Sequence, residues 1–193
     1  MRVGIRLNDD FAISTKLKSQ YFMKSSFLSS SEYATYYKPY IQALGEVVLL
    51  QELENSLQHF LGFLNSIPIE KHEYRYAEGK WTVKEIIQHL IDAERIFTYR
   101  ALRFARNDKT DLAGFEENEY ANQARANERT FKELMEEFKV VRIATLYLFK
   151  SLNEEELMRT GIALDNSFTV RAIGFITIGH QKHHQRIIFE RYL

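Results

Sequence analysis

The stretch GHQKHHQR, residues 179–186, carries three of the chain's six histidines. His180 and His184 stand four residues apart. On a helix that spacing puts both imidazoles on one face, one turn above the other. Such a pair can ligate one divalent ion, as the two histidines of H-E-x-x-H do. Here Gln181 follows His180 where that motif carries its glutamate, so the protease general base is missing. A 100° turn per residue places the pair about 40° apart, astride the apolar stripe of Ile173, Ile176, Thr177 and Ile187. His183 falls about 60° to the other side of His180, at the stripe's edge. Two readings fit inward imidazoles: a shared metal, or a hydrogen-bonded pair in the core.

A third histidine bears on the choice. His89 lies on the shoulder of another apolar stripe, near Ile86, Ala93 and Ile96, where a neighbouring helix would meet it. His59 falls opposite the leucines of its own segment, and His72 sits in the connection IEKHEYRY; both are poor ligands. Three near-inward histidines favour a metal over a chance pair. Three protein ligands would leave a coordination position open, which is the arrangement of a catalytic metal rather than a closed structural one.

The elements that must position these residues are helical. Apolar periodicity predicts helices over about 45–66, 83–106, 128–152 and 170–191. Thr82 and Glu85 form a T-x-x-E capping box at the start of the second, and Pro68 closes the first. No alternating pattern argues for strands. The expected fold is all-α, a four-helix bundle. Trp81-Thr82-Val83-Lys84 and Phe168-Thr169-Val170-Arg171 open the second and fourth helices alike, with an aromatic staple and a threonine cap. Residues 1–32 are polar and serine-rich without a clean period, and read as an arm on a domain of 33–193; Met23 is a candidate natural start.

Height along the bundle constrains the topology. His89 lies about seven residues into the second helix, and the His180/His184 pair lies six to ten residues from the end of the fourth. Antiparallel, the two helices bring all three to one level; parallel, they leave them about 9 Å apart. A shared metal therefore demands an up-down-down-up crossover. The connection from Asn107 to Asn127 is long enough to provide it.

Composition narrows the function classes. Lys+Arg and Asp+Glu both number 26, so the formal charge is zero and nothing draws the chain to nucleic acid or an anionic membrane. There is no cysteine, which excludes disulfides and thiolate ligands and leaves any metal to His, Asp or Glu. No apolar run is long enough to span a bilayer, and the first residues lack a secretory core. The expected location is the cytoplasm.

GKWTVKEIIQHLIDAERI (79–96) followed by GHQKHHQRIIFERYL (179–193) resembles the DinB/YfiT-like superfamily of bacterial four-helix-bundle proteins. The resemblance covers roughly residues 32–193. It implies a metal-binding histidine on the second helix and an H-x-x-x-H pair on the fourth, here His89, His180 and His184. It also implies the crossover bundle, a homodimer, and zinc, nickel or a related divalent ion. Some members are thiol transferases using bacillithiol, mycothiol or related thiols, and others are described as hydrolases. The implied function is thus a metal-dependent thiol transferase or hydrolase acting on a small molecule, with a low-molecular-weight thiol as candidate co-substrate. A non-catalytic metal-binding or stress-response module is the alternative.

Further roles are assigned more sparsely. Arg100 shares the shoulder of His89 and is a candidate to hold an anionic substrate group, with a surface ion pair as the alternative. Tyr120 on the crossover is a candidate gate, and His183 a candidate proton shuttle. Asp92 and Glu94 lie near His89 in sequence, but are read as helix-surface charges. Trp81 is read as a staple at the start of the second helix rather than a substrate contact.

Overall fold

The computed structural model describes residues 23–193. Residues 1–22 of the expected arm lie outside the described residues. Four long helices carry the fold: α2 (Leu49–Asn65), α3 (Val83–Ala105), α5 (Phe131–Ser151) and α7 (Val170–Arg191). Shorter helices α1 (Lys38–Gln42), α4 (Glu117–Gln123) and α6 (Glu154–Met158) lie in the connections. The expected all-α bundle is present, with one departure described below. No helix of the described residues is long and apolar enough to cross a membrane.

Local chemistry sets the helix starts. The Thr82 hydroxyl accepts from the Glu85 N–H at 3.1 Å, and the Glu85 carboxylate accepts from the Thr82 N–H at 2.7 Å. Thr130 and Glu133 form the same reciprocal box at the head of α5, which begins three residues later than its apolar period suggested. Thr169 caps α7 by accepting from the Ala172 N–H at 3.2 Å. Each box satisfies two donors that a helix start otherwise leaves without partners.

The departure is a small antiparallel hairpin, β1 (Thr160–Ala163) and β2 (Asn166–Thr169), where no strand was expected. Its two-residue turn, Leu164-Asp165, has both φ angles positive, at 54° and 59°. That is the backbone of the tight hairpin turn whose twist matches paired strands. The hairpin ends at Thr169, which is also the cap of α7, so it fixes where the histidine-bearing helix begins.

The main packing pairs are α3 on α7, α3 on α5, α2 on α5 and α2 on α7, so α2 and α3 occupy opposite corners. Contacts fix the directions. Gln88 meets Arg129, Arg95 meets Glu137 and Thr98 meets Thr145, so α3 and α5 ascend together. The Tyr192 hydroxyl donates to the Trp81 carbonyl at 2.7 Å, joining the end of α7 to the head of α3, and these two run oppositely. Phe60 packs on Phe138 while Arg142 reaches back to Leu53, so α2 opposes α5. Glu52 pairs with Lys182, and Phe63 shares a groove with Phe189 farther along, so α2 ascends with α7.

The core consists of two apolar blocks. One gathers Leu49, Leu53, Phe97, Phe104, Phe149 and Phe175, and the other Leu57, Phe60, Leu90, Phe138 and Ile188. Between them lies a polar layer holding Ser56, Glu94, Arg142 and Gln181. Residues 170–181 of α7 are buried all round, so its first half is enclosed on every side rather than amphipathic. Within the segment read as an arm, Met23 is buried against the first block, and Glu32 receives Arg171 at 2.6 Å.

Candidate metal centre

His89 of α3 and His180 and His184 of α7 converge. The Nε2 atoms of His89 and His180 are 3.0 Å apart, and those of His180 and His184 are 3.1 Å apart. The ring centroids are separated by 4.9 Å (His89–His180), 4.9 Å (His89–His184) and 4.7 Å (His180–His184). His89 and His180 are buried and His184 half-buried. The opposed directions of α3 and α7 bring residues ninety-one apart in sequence to one level.

Hydrogen bonding alone does not account for this arrangement. An imidazole Nε2 carries either one proton or one lone pair. That of His180 faces two other Nε2 atoms and can bond only one of them well. A single cation, by contrast, takes all three lone pairs at once. Two nitrogens about 2.1 Å from a tetrahedral ion stand about 3.4 Å apart, close to the spacing found. Protonation also favours ligation. Burial pulls His89 down to about 4. Burial, reinforced by the neighbouring histidines, pulls His180 and His184 well below the ordinary imidazole value. All three are therefore neutral near pH 7, which is the form that binds metal. The residues fit a divalent ion.

Aromatic walls surround the cluster. The Trp81 ring lies 4.7 Å from that of His89 and 6.3 Å from that of His184, so Trp81 walls the centre as well as opening α3. Phe97 lies 5.7 Å and Tyr40 5.8 Å from His180. An outer cleft of about 200 Å³ reaches His184, lined also by Tyr76, Lys80, Trp81, Asn118 and Tyr192. The contribution of Tyr40 was hidden in the sequence, because it sits on a five-residue helix with no period to read.

The other sequence candidates are placed differently. His183 lies outside the three-nitrogen group and packs on Tyr40 at 4.9 Å. Tyr120 is exposed on α4, against Phe115, and lines a groove with Asp92 and Arg95 that contains no histidine. Arg100 is buried beside Tyr37 and Phe97 and makes no surface ion pair among the described residues. His59 is exposed, and His72 stacks on Phe131 at 3.6 Å. Glu94 corrects an expectation: it is buried and holds Arg142 rather than lying on the helix surface. Asp92 is half-buried and accepts from Gln88 at 3.0 Å.

The profile of the DinB superfamily matches residues 52–188, a span that includes all three histidines. The chain belongs to the DinB superfamily. A protein of Geobacillus thermodenitrificans (strain NG80-2), described as "Putative metal-dependent hydrolase", is 26% identical to this DinB-superfamily chain over 113 residues. That match covers 58% of this chain and 62% of the relative, less than two thirds of its length. Among solved structures, YfiT from Bacillus subtilis superposes with a TM-score of 0.66 at 16% identity, covering 74% of this chain and 82% of YfiT. Its description is a "probable metal-dependent hydrolase with an unusual four-helix bundle topology". A mycothiol-dependent maleylpyruvate isomerase gives 0.60 at 11% identity, over 72% of this chain and 58% of that one. A DinB-like protein of Bacillus subtilis, YjoA, gives 0.52 at 18% identity, over 74% and 87%. At these identities the structures share the fold.

Proposed function

We propose that this protein is a metal-dependent enzyme of the DinB/YfiT-like type, acting on a small molecule by hydrolysis or thiol transfer. His89, His180 and His184 hold a divalent ion, zinc or nickel, and leave a coordination position open. The approach of the three Nε2 atoms, two pairs of them 3.0 and 3.1 Å apart, carries this reading. The helix directions support the up-down-down-up order that such a centre needs. The reading extends to a catalytic domain of 33–193 with an arm of 1–32, working in the cytoplasm as a homodimer.

A bound divalent ion supplies Lewis acidity there, acidifying water or a thiol at the open position. The chain supplies the rest. The neutral imidazoles give three lone pairs without first shedding protons. Trp81, Phe97 and Tyr40 close the walls against water, which strengthens electrostatic interactions inside. The cleft at His184 admits the small molecule, and a thiol co-substrate where transfer is the reaction.

Protein purified without a histidine tag is expected to carry or take up about one equivalent of transition metal, read by elemental analysis. His180→Asn and His184→Gln are expected to abolish uptake, while His59→Asn leaves it intact. Less than about a tenth of an equivalent in the wild type, with no uptake on titration, overturns the reading.

One observation favours a non-catalytic metal-binding or stress-response module as the second reading. The buried Nδ1 of His184 has no partner among the described residues, whereas metal-ligating histidines usually hand that N–H to an acceptor that fixes the ring. Metal uptake at about one equivalent with no hydrolytic or thiol-transfer turnover would favour this module.

A further inference from the structure

His184 Nδ1 is sealed from water and has no hydrogen-bond partner, the one buried side-chain nitrogen or oxygen so placed among the described residues. A cation held by the three Nε2 atoms takes a lone pair from each, so the proton of each neutral imidazole moves to Nδ1. Metal binding thus fixes an N–H at the sealed Nδ1 of His184, where it needs an acceptor. Without metal that need is absent. With Nε2 protonated and donating to His180 Nε2, 3.1 Å away, Nδ1 carries only a lone pair.

The cleft of about 200 Å³ at His184 offers few acceptors. Its hydrocarbon side chains have none, and the Lys80 ammonium and Trp81 indole only donate. The Tyr192 hydroxyl is held on the Trp81 carbonyl, and Tyr192 lies eight residues beyond His184, about 12 Å along the helix direction. The Tyr76 ring packs on Tyr192 at 5.1 Å and stands at that far end. Asn118 remains. Its side chain is exposed, lines the cleft, and makes no hydrogen bond among the described residues. The neighbouring Glu117 lies within electrostatic reach of the Tyr40 hydroxyl, and the Tyr40 ring is 5.8 Å from that of His180. The start of α4 therefore stands at the level of the cluster. This helix is lightly held: it opens without the side-chain cap of α3, α5 and α7, and its main packing is on α3 alone.

We propose that Asn118 is a positioning residue of the metal centre: when the cation binds, α4 closes on the cleft and Asn118 Oδ1 accepts the hydrogen bond from His184 Nδ1–H. The inference rests on the metal reading above and supplies the orienting partner that His184 lacks. An acceptor there fixes the ring against rotation and makes its Nε2 a stronger ligand.

The test is a competition titration of zinc and of nickel against a chromophoric chelator. It compares the full-length wild type with Asn118→Leu, Asn118→Asp and Tyr76→Phe. Asn118→Leu is expected to melt like the wild type without metal, and to bind metal about 10–100-fold more weakly. Should it fail to fold, Asn118→Ala takes its place with the same expectation. Asn118→Asp keeps an acceptor and is expected to bind at least as tightly as the wild type. Tyr76→Phe is expected to leave affinity unchanged. In hydrogen exchange, metal is expected to slow the amides of 117–123 in the wild type and Asn118→Asp, but not in Asn118→Leu. Wild-type affinity in Asn118→Leu overturns the proposal, as does an Asn118→Asp no tighter than Asn118→Leu, or a loss confined to Tyr76→Phe. Exchange at 117–123 that metal leaves unchanged in the wild type also overturns it. A wild type that takes up no metal overturns the metal reading and this proposal with it, whereas uptake indifferent to residue 118 overturns the proposal alone.

Discussion

Glu94 holds Arg142 by two parallel hydrogen bonds, Nε to Oε1 at 2.8 Å and Nη2 to Oε2 at 2.9 Å, with both side chains sealed from water. The remaining Nη1 of Arg142 donates to Ser56 Oγ at 2.8 Å and to Gln181 Oε1 at 3.2 Å. One guanidinium thus ties α2, α3, α5 and α7 together beside His180. Removing one partner of a buried pair strands the other charge and costs about 3–5 kcal/mol, whereas replacing both with apolar groups of similar volume is close to neutral. Arg142→Met is therefore expected to lose about that much in denaturant unfolding, and Glu94→Leu combined with Arg142→Met to recover most of it. A double variant no better than the single one would show that the ion pair itself contributes net stability.

The histidine centre gives a pH prediction with a definite sign. Burial holds His89 down to about 4 in the fold, while an ordinary imidazole titrates near 6.5. Between those values the unfolded chain binds a proton that the folded chain refuses. Stability of the metal-free protein should therefore be full above about pH 6.5, fall below it, and reach its complete loss below about pH 4. For His89 that gap corresponds to about 3 kcal/mol. His180 and His184 are shifted in the same direction and add to the slope. Chemical denaturation at a series of pH values should show a shallower slope for His89→Gln, and a saturating divalent metal should offset the loss in the wild type. A metal-free wild type equally stable at pH 7 and pH 4.5 would contradict this burial.

What could be read from the sequence follows from the range of each signal. The four long helices show in their own residues, since an apolar stripe is local, as is the threonine cap that opens α3, α5 and α7. The His89, His180 and His184 grouping needed one step more, a comparison of heights between two helices. Glu94 was misread because its partner, Arg142, is forty-eight residues away on another helix and leaves no trace in the spacing around Glu94. The hairpin was missed for two reasons. Its strands are four residues each, too short to show alternation, and its turn puts Leu164, rather than asparagine or glycine, at a positive φ. For Arg100 the chemistry of the residue was legible, but its lack of a carboxylate partner was not, because that depends on everything packed around it.

Two glycines within helices separate close packing from helix propensity. At Gly179, next to His180, a Cβ would stand 2.7 Å from the Tyr40 carbonyl oxygen and 2.8 Å from its Cβ. Backbone cannot swing aside as a side-chain tip can, so Gly179→Ala has to push α1 away from α7. Overpacking of this kind costs about 1–3 kcal/mol, more than the helix gains from alanine. At Gly62 in α2 nothing lies within 4 Å of the added carbon, and the site is exposed. Gly62→Ala is expected to stabilise by about 0.5–1 kcal/mol, the ordinary difference between the two residues in a helix. The pair also differs at the metal centre. Tyr40 packs on His180 and His183, so moving it loosens the wall beside one imidazole of the cluster. Gly179→Ala should therefore weaken metal uptake in a competition titration, and Gly62→Ala should leave it unchanged. Equal melting shifts for the two variants would show that α1 yields freely at Tyr40, and that the close approach of its backbone to α7 contributes nothing to the site.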